Sequence, residues 1–176
     1  MKIISPYHKE MLSIGNVVNL HNTLNFDIDL PDEAVEKLCE RMKESGVASK
    51  KPEKKEYTFF DTPNYGNFDV TKLAECGKNL DNMSVGYHYR CRISNIEANR
   101  DKIDRDSRAK KVWNNTYGRI KRRLNESHNW VIVKLHSIDR FGRITVSLYD
   151  IITGYPYIQE YLCDKTDVFK RYNSQK

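Results

Sequence analysis

With 176 residues, 39% of them hydrophobic, the chain is long enough to bury a core, which excludes a bare peptide or a disordered tail. Its 30 Lys and Arg against 24 Asp and Glu leave a formal charge of +6 and a pI near 9.0, a basic excess that suits a polyanionic partner without requiring one. No apolar run approaches the ~18 residues of a membrane span, and MKIISPYHKEML lacks a signal-peptide core, so neither a membrane nor a secreted location is expected.

Cys39, Cys76, Cys91 and Cys163 form no CxxC pair, and the five histidines show no HxxxH spacing. Free thiols in a reducing, intracellular compartment are the expectation, with no zinc site and no disulfide framework.

In chain order, Gly15 to Leu30 predicts two strands about a turn at His21-Asn22-Thr23. Phe26, Ile28 and Leu30 alternate on one face, which assigns Asp27 and Asp29 to a solvated face. Pro31 to Gly46 predicts a helix: Asp32 and Glu33 suit its first turn, Val35, Leu38, Cys39 and Met42 form its apolar stripe, and Gly46 ends it. Ser49 to Glu56 is a charged linker, and the aromatic, Asn- and Gly-rich segment to Tyr87 allows a strand at Tyr57–Phe60 and a helix at Val70–Cys76. We read the chain as one domain over residues 1–176, with 31–85 an insertion.

Tyr87 to Ile96 predicts a strand with Tyr87, Tyr89, Cys91 and Ile93 on one face and His88, Arg90, Arg92 and Ser94 on a basic one. Ser107 to Leu124 predicts a helix with Ala109, Trp113, Tyr117, Ile120 and Leu124 on its buried side and a possible kink at Gly118. Between Asp106 and Glu126 that helix carries only cations, Arg119 and Arg122 among them. Such a run fits a solvated face and a phosphate-facing patch about equally well.

Trp130 to Ile138 and Ile144 to Tyr149 predict two strands of a hairpin. Asp139-Arg140-Phe141-Gly142-Arg143 turns the chain, with Gly142 free to take positive φ. A helix over 157–165 and a closing turn at Val168, Phe169 and Tyr172 complete the series. The order implies an α+β, mainly β fold: a five-stranded OB-fold barrel with helices and a large insertion between strands 2 and 3.

Three blocks of the second half resemble the staphylococcal nuclease (thermonuclease) family, over roughly residues 86 to 173. Arg90-Cys91-Arg92-Ile93-Ser94-Asn95-Ile96-Glu97 resembles its V-R-L-x-G-I-D strand and loop, and Asp139 to Arg143 its D-x-Y-G-R hairpin. Ile158-Gln159-Glu160-Tyr161-Leu162 with Phe169-Lys170-Arg171-Tyr172 resembles its closing helix. The resemblance implies an OB barrel of staphylococcal-nuclease type in which Arg92 and Arg143 clamp a phosphate and Glu97 stands at a calcium-ligand position.

The pattern breaks elsewhere. Ala98-Asn99-Arg100 replaces the family's T-P-E and sets an arginine where the general base would be. Asn22-Thr23-Leu24-Asn25 replaces D-G-D-T, with Leu24 at the second metal-ligand position.

Three readings follow. The first is a divergent domain that binds single-stranded DNA or RNA through Arg90, Arg92, Arg119, Arg122 and Arg143, with Tyr87, Tyr89 and Phe141 as stacking surfaces, no cofactor and no efficient catalysis. The second is a calcium-dependent nuclease whose metal site is rebuilt from carboxylates such as Asp61 or Asp69. The third is a structural or protein-interaction domain.

Overall fold

The computed structural model describes residues 12–46, 51–52, 54–56, 87–158 and 168–171. The expected strand at Tyr57–Phe60, the helix at Val70–Cys76 and the body of the expected 157–165 helix lie outside them. The elements are β1 (Leu12–Asn22), β2 (Asn25–Asp29), α1 (Asp32–Glu44), β3 (Lys54–Glu56), β4 (Tyr87–Ile93), β5 (Ile96–Ala98), α2 (Arg100–Arg105), α3 (Ser107–Glu126), β6 (Trp130–Ile138), β7 (Ile144–Asp150) and β8 (Phe169–Arg171).

Five strands close a barrel. β1 pairs with β2 and β6, β6 with β7, and β7 with β4 in parallel. The antiparallel β2–β4 ladder, Asn25 opposite Arg92 to Ile28 opposite Tyr89, shuts the ring. One parallel pair, with α2 and α3 carried between the third and fourth barrel strands, is OB wiring. Register shifts in β1 after Val17 and Leu20, and in β6 after Leu135, supply the bends that a closed ring needs.

Phe26, Ile28, Val133 and Ile144 are fully buried in one core that Val35, Leu38 and Met42 of α1 join, and Ile14 and Ile132 are fully buried as well. Gly15 is forced by packing. A Cβ there would lie 2.7 Å from Ile28 Cγ2 and 3.0 Å from Val133 Cγ2. α3 starts at Asp106, whose carboxylate accepts from Arg108 N at 2.8 Å, and it runs unbroken through Gly118. None of the helices among the described residues is long and apolar enough to cross a membrane.

Several expectations need correction. Asp27 and Asp29 are not solvated; both are buried, Asp27 beneath Arg90 and His21. His88, assigned to a basic face, is buried on the far side of Asp27, its Nδ1 3.8 Å from Oδ2. The strand from Tyr87 stops at Ile93, because Asn95 takes φ +63° and starts a separate ribbon, β5, paired with β8. Phe169 to Arg171, matched above to a closing helix, are therefore strand; Val168 and Phe169 do pack in the core as expected.

Gly15→Ala is expected to lower stability by about 1–3 kcal/mol, since Ile28 and Val133 are enclosed and cannot yield without repacking. A urea melt measures it. An unchanged midpoint would mean that the barrel is looser at this seam than its contacts show.

Candidate functional site

The register of the barrel gathers a cleft of about 290 Å³ at one of its ends. Asn22, Leu24 and Asn25 come from the β1–β2 turn, Arg92 from β4, Glu97 and Ala98 from β5, Arg100 from α2, Trp113 from α3 and Arg143 from the start of β7. The β2–β4 ladder sets Asn25 opposite Arg92, and Cys91 beside Ile144 brings Arg143 to the neighbouring strand. Residues more than a hundred positions apart in sequence thus share one wall: Arg143 Nη1 donates to Asn25 Oδ1 at 3.4 Å.

Asp139 is the residue that aims Arg143. Its Oδ1 accepts from the backbone N–H of Phe141 (2.9 Å) and of Arg143 (3.0 Å), and its Oδ2 takes Arg143 Nε at 2.8 Å. Gly142 at φ +85° completes the turn as expected. With Nε spent on Asp139, the terminal nitrogens of Arg143 are left to face the cleft. Arg92 is steadied by a long bond from Nη2 to the Ile96 carbonyl, 3.4 Å.

The opposite wall is helical. The Arg100 guanidinium lies over the Trp113 ring, 4.9 Å from its centroid, and Trp113 in turn packs on the buried Phe169 at 5.7 Å. Among the described residues the cleft therefore holds three guanidinium groups against one carboxylate, Glu97, and Glu97 itself sits opposite Lys170 in the β5–β8 register.

Calcium does not fit this lining. Hard cations gather six to eight oxygens, and here the amide oxygens are engaged. Asn22 Oδ1 already accepts from Leu24 N, Asn25 N and Asn25 Nδ2 at 2.9–3.0 Å, and Asn25 Oδ1 faces Arg143. Leu24, at the second ligand position implied by the resemblance, is apolar and buried. Among the described residues no three of His, Cys, Asp and Glu converge to hold a metal. Asp61 and Asp69 lie outside the described residues.

The other predicted site residues divide. Arg90 does not face the cleft: its Nε donates to the buried Asp27 at 2.7 Å, and His21 Nε2 closes on the other oxygen at 2.6 Å. Tyr89 is buried, not a stacking surface. Its hydroxyl donates to Asp32, where Lys54 also binds at 3.0 Å, and burial followed by the Asp32 contact pushes the phenol far up, keeping it a donor. The Tyr87 side chain lies outside the described residues. Phe141 is exposed at 56%, with Arg140 and Arg143 over its ring at 4.8 and 5.2 Å. Arg119 and Arg122 are exposed on α3 and are not among the cleft residues. The Cys91 thiol is buried and pushed well up, chiefly by burial and then by the Asp27 charge, so it is inert.

Sequence reasoning missed Arg100 with Trp113 as a pair sharing the cleft with Arg92 and Arg143. No local pattern reveals that contact, because it depends on how α2 folds back onto α3.

No family model and no curated protein sequence matches the chain. Among solved structures it is similar to extended Tudor domain TD3 from mouse TDRD1 in complex with MILI peptide containing dimethylarginine 45, at 12% identity and TM-score 0.43, over 92% of this chain and 94% of that one. The same Tudor domain without peptide gives 12% identity and TM-score 0.40 over 91% and 93%. The fold assignment rests on the strand pairing itself.

Arg90→Met is expected to lower stability by roughly 2–4 kcal/mol, because it strands a buried carboxylate. Thermal melting checks it. A variant as stable as the parent would show that Asp27 is held by His21 alone.

Proposed function

We propose that the chain is a binding module that grips the phosphate backbone of single-stranded nucleic acid in this cleft and does not cleave it efficiently. The convergence of Arg92 and Arg143 on one cleft, with a single carboxylate between them and Arg100, supports this reading most. Guanidinium forks present paired donors to phosphate oxygens and stay charged at any working pH. The exposed cations of α3, Arg119 and Arg122, would extend the attraction along the strand, and Phe141 offers a face for a base.

Catalysis is disfavoured on two counts. Arg100 cannot take a proton from water, and the lining does not suit a hard cation. A protein partner is the second reading. Ile152 at 40% and Tyr155 at 66% exposure stand out in the turn after β7, where phosphate binding gives them no role.

Anisotropy titration of labelled single-stranded DNA and RNA tests the proposal. Affinity should fall steeply with salt, log K declining by about 0.7 per phosphate contact for each unit of log salt. Arg92→Gln with Arg143→Gln should weaken binding about tenfold or more, and Arg119→Glu with Arg122→Glu should flatten the salt slope without unfolding the chain. No binding at low salt, with both variants folded, would leave the protein-partner reading standing.

Incubation of the same strands with calcium, magnesium or chelator should yield no metal-dependent cleavage. Cleavage that Arg143→Ala abolishes would instead establish a nuclease whose carboxylates come from outside the described residues.

A further inference from the structure

We infer that Arg100, stacked on Trp113, is a specificity-determining residue that makes the cleft select a terminal phosphomonoester of a nucleic-acid strand over an internal phosphodiester. The inference rests on the phosphate-binding reading and adds to it a preferred chemical form of phosphate.

Arg92 and Arg143 already supply the donors that a diester can use, since its two non-bridging oxygens accept one guanidinium each. Arg100 is a third, set on the helical wall. It forms no ion pair among the described residues, and its guanidinium lies on the indole face of Trp113 at 4.9 Å. Its backbone is fixed: Asn99 caps α2 by accepting from Lys102 N at 3.3 Å and donates its own N–H to the Val168 carbonyl at 2.8 Å. Trp113 beneath it is clamped by Phe169, 1% exposed. Stacking leaves the edge N–H groups of a guanidinium free to donate in its plane.

Charge and acceptor count then discriminate. Among the described residues the cleft lining carries three guanidinium groups and one carboxylate, and although Asp139 behind Arg143 offsets part of the charge, a positive excess remains. An internal diester brings one negative charge, whereas a monoester brings about 1.5 to 2 and three terminal oxygens. The monoester offers the third fork an oxygen of its own, where the diester would have to share one. The volume, about 290 Å³, is at the small end of ligand pockets and suits one terminal unit better than a strand passing through.

The test uses one single-stranded oligonucleotide, internally labelled, in three forms: 5′-phosphate, 3′-phosphate and both ends hydroxyl. The intact chain should bind at least one phosphorylated form about tenfold tighter than the hydroxyl form, and the two phosphorylated arms tell which end is read. Arg100→Gln should weaken binding of every form, the phosphorylated one most, so that the preference falls from about tenfold to about twofold or less, with the melting temperature unchanged, since Arg100 is exposed. Equal affinity for all three forms in the parent, or a preference that survives Arg100→Gln, overturns the inference and leaves strand binding intact. Failure of every form to bind overturns the reading beneath it. A phosphoserine peptide bound as tightly as the phosphorylated strand would also overturn it, by assigning the site to phosphoprotein.

Discussion

The structure depends on the closure between β2 and β4. A five-stranded sheet left open would expose two edges, and closing it satisfies both at the cost of a fixed register. That register, with Asn25 opposite Arg92 and Phe26 opposite Cys91, decides what stands at the mouth of the barrel. Because β4 also runs parallel to β7 from Cys91 and Ile144, the same strand places Arg92 next to the segment that carries Arg143. The barrel wall of the cleft thus follows from ring closure, and the β5 ribbon with α2 and α3 supplies the other wall.

Asp27 sits at that seam. It is paired in register with Arg90 and bonded to it, with His21 on its second oxygen, yet it is 2% exposed. A buried ion pair returns little net stability, because desolvation cancels much of its attraction. Its contribution to register is larger. A slip of one residue would carry Asp27 away from Arg90 and set it opposite Tyr89 or Cys91, neither of which can neutralise it. The group that looks like a solvated acid in the sequence is better understood as the lock on barrel closure, and so on the position of Arg92.

What the sequence made legible was local or periodic. The hairpin at Asp139 to Arg143, the stripe of α1 and the buried face of α3 are short-range patterns, and each matches the observed element. Arg92, Glu97 and Arg143 could be grouped only through the family resemblance, and they do share the cleft. Alternation failed for Asp27, Asp29 and His88 because it assumes one wet face per strand; here both faces of β2 are covered. Tyr89 showed the same ambiguity in reverse, since an aromatic on an apolar face reads equally as core or platform. The β5–β8 ribbon joins residues about seventy positions apart, and no pattern within either strand announces it.

The two walls of the cleft differ in how they hold charge, and this bears on what the cleft can accept. On the barrel side Asp139 neutralises part of Arg143 while orienting it, which lowers the repulsion that Arg92 would otherwise feel nearby. On the helical side Arg100 is held by an indole, which orients a cation without neutralising it. A divalent cation entering between them would meet net positive charge from both walls and one carboxylate in reach. An anion entering the same space meets donors whose orientation is already fixed by Asp139 and Trp113, so little side-chain entropy is lost on binding. The departures from the resembled pattern at Leu24 and Arg100 therefore act in one direction: the first puts an apolar side chain where an oxygen ligand would stand, and the second adds a fixed positive charge.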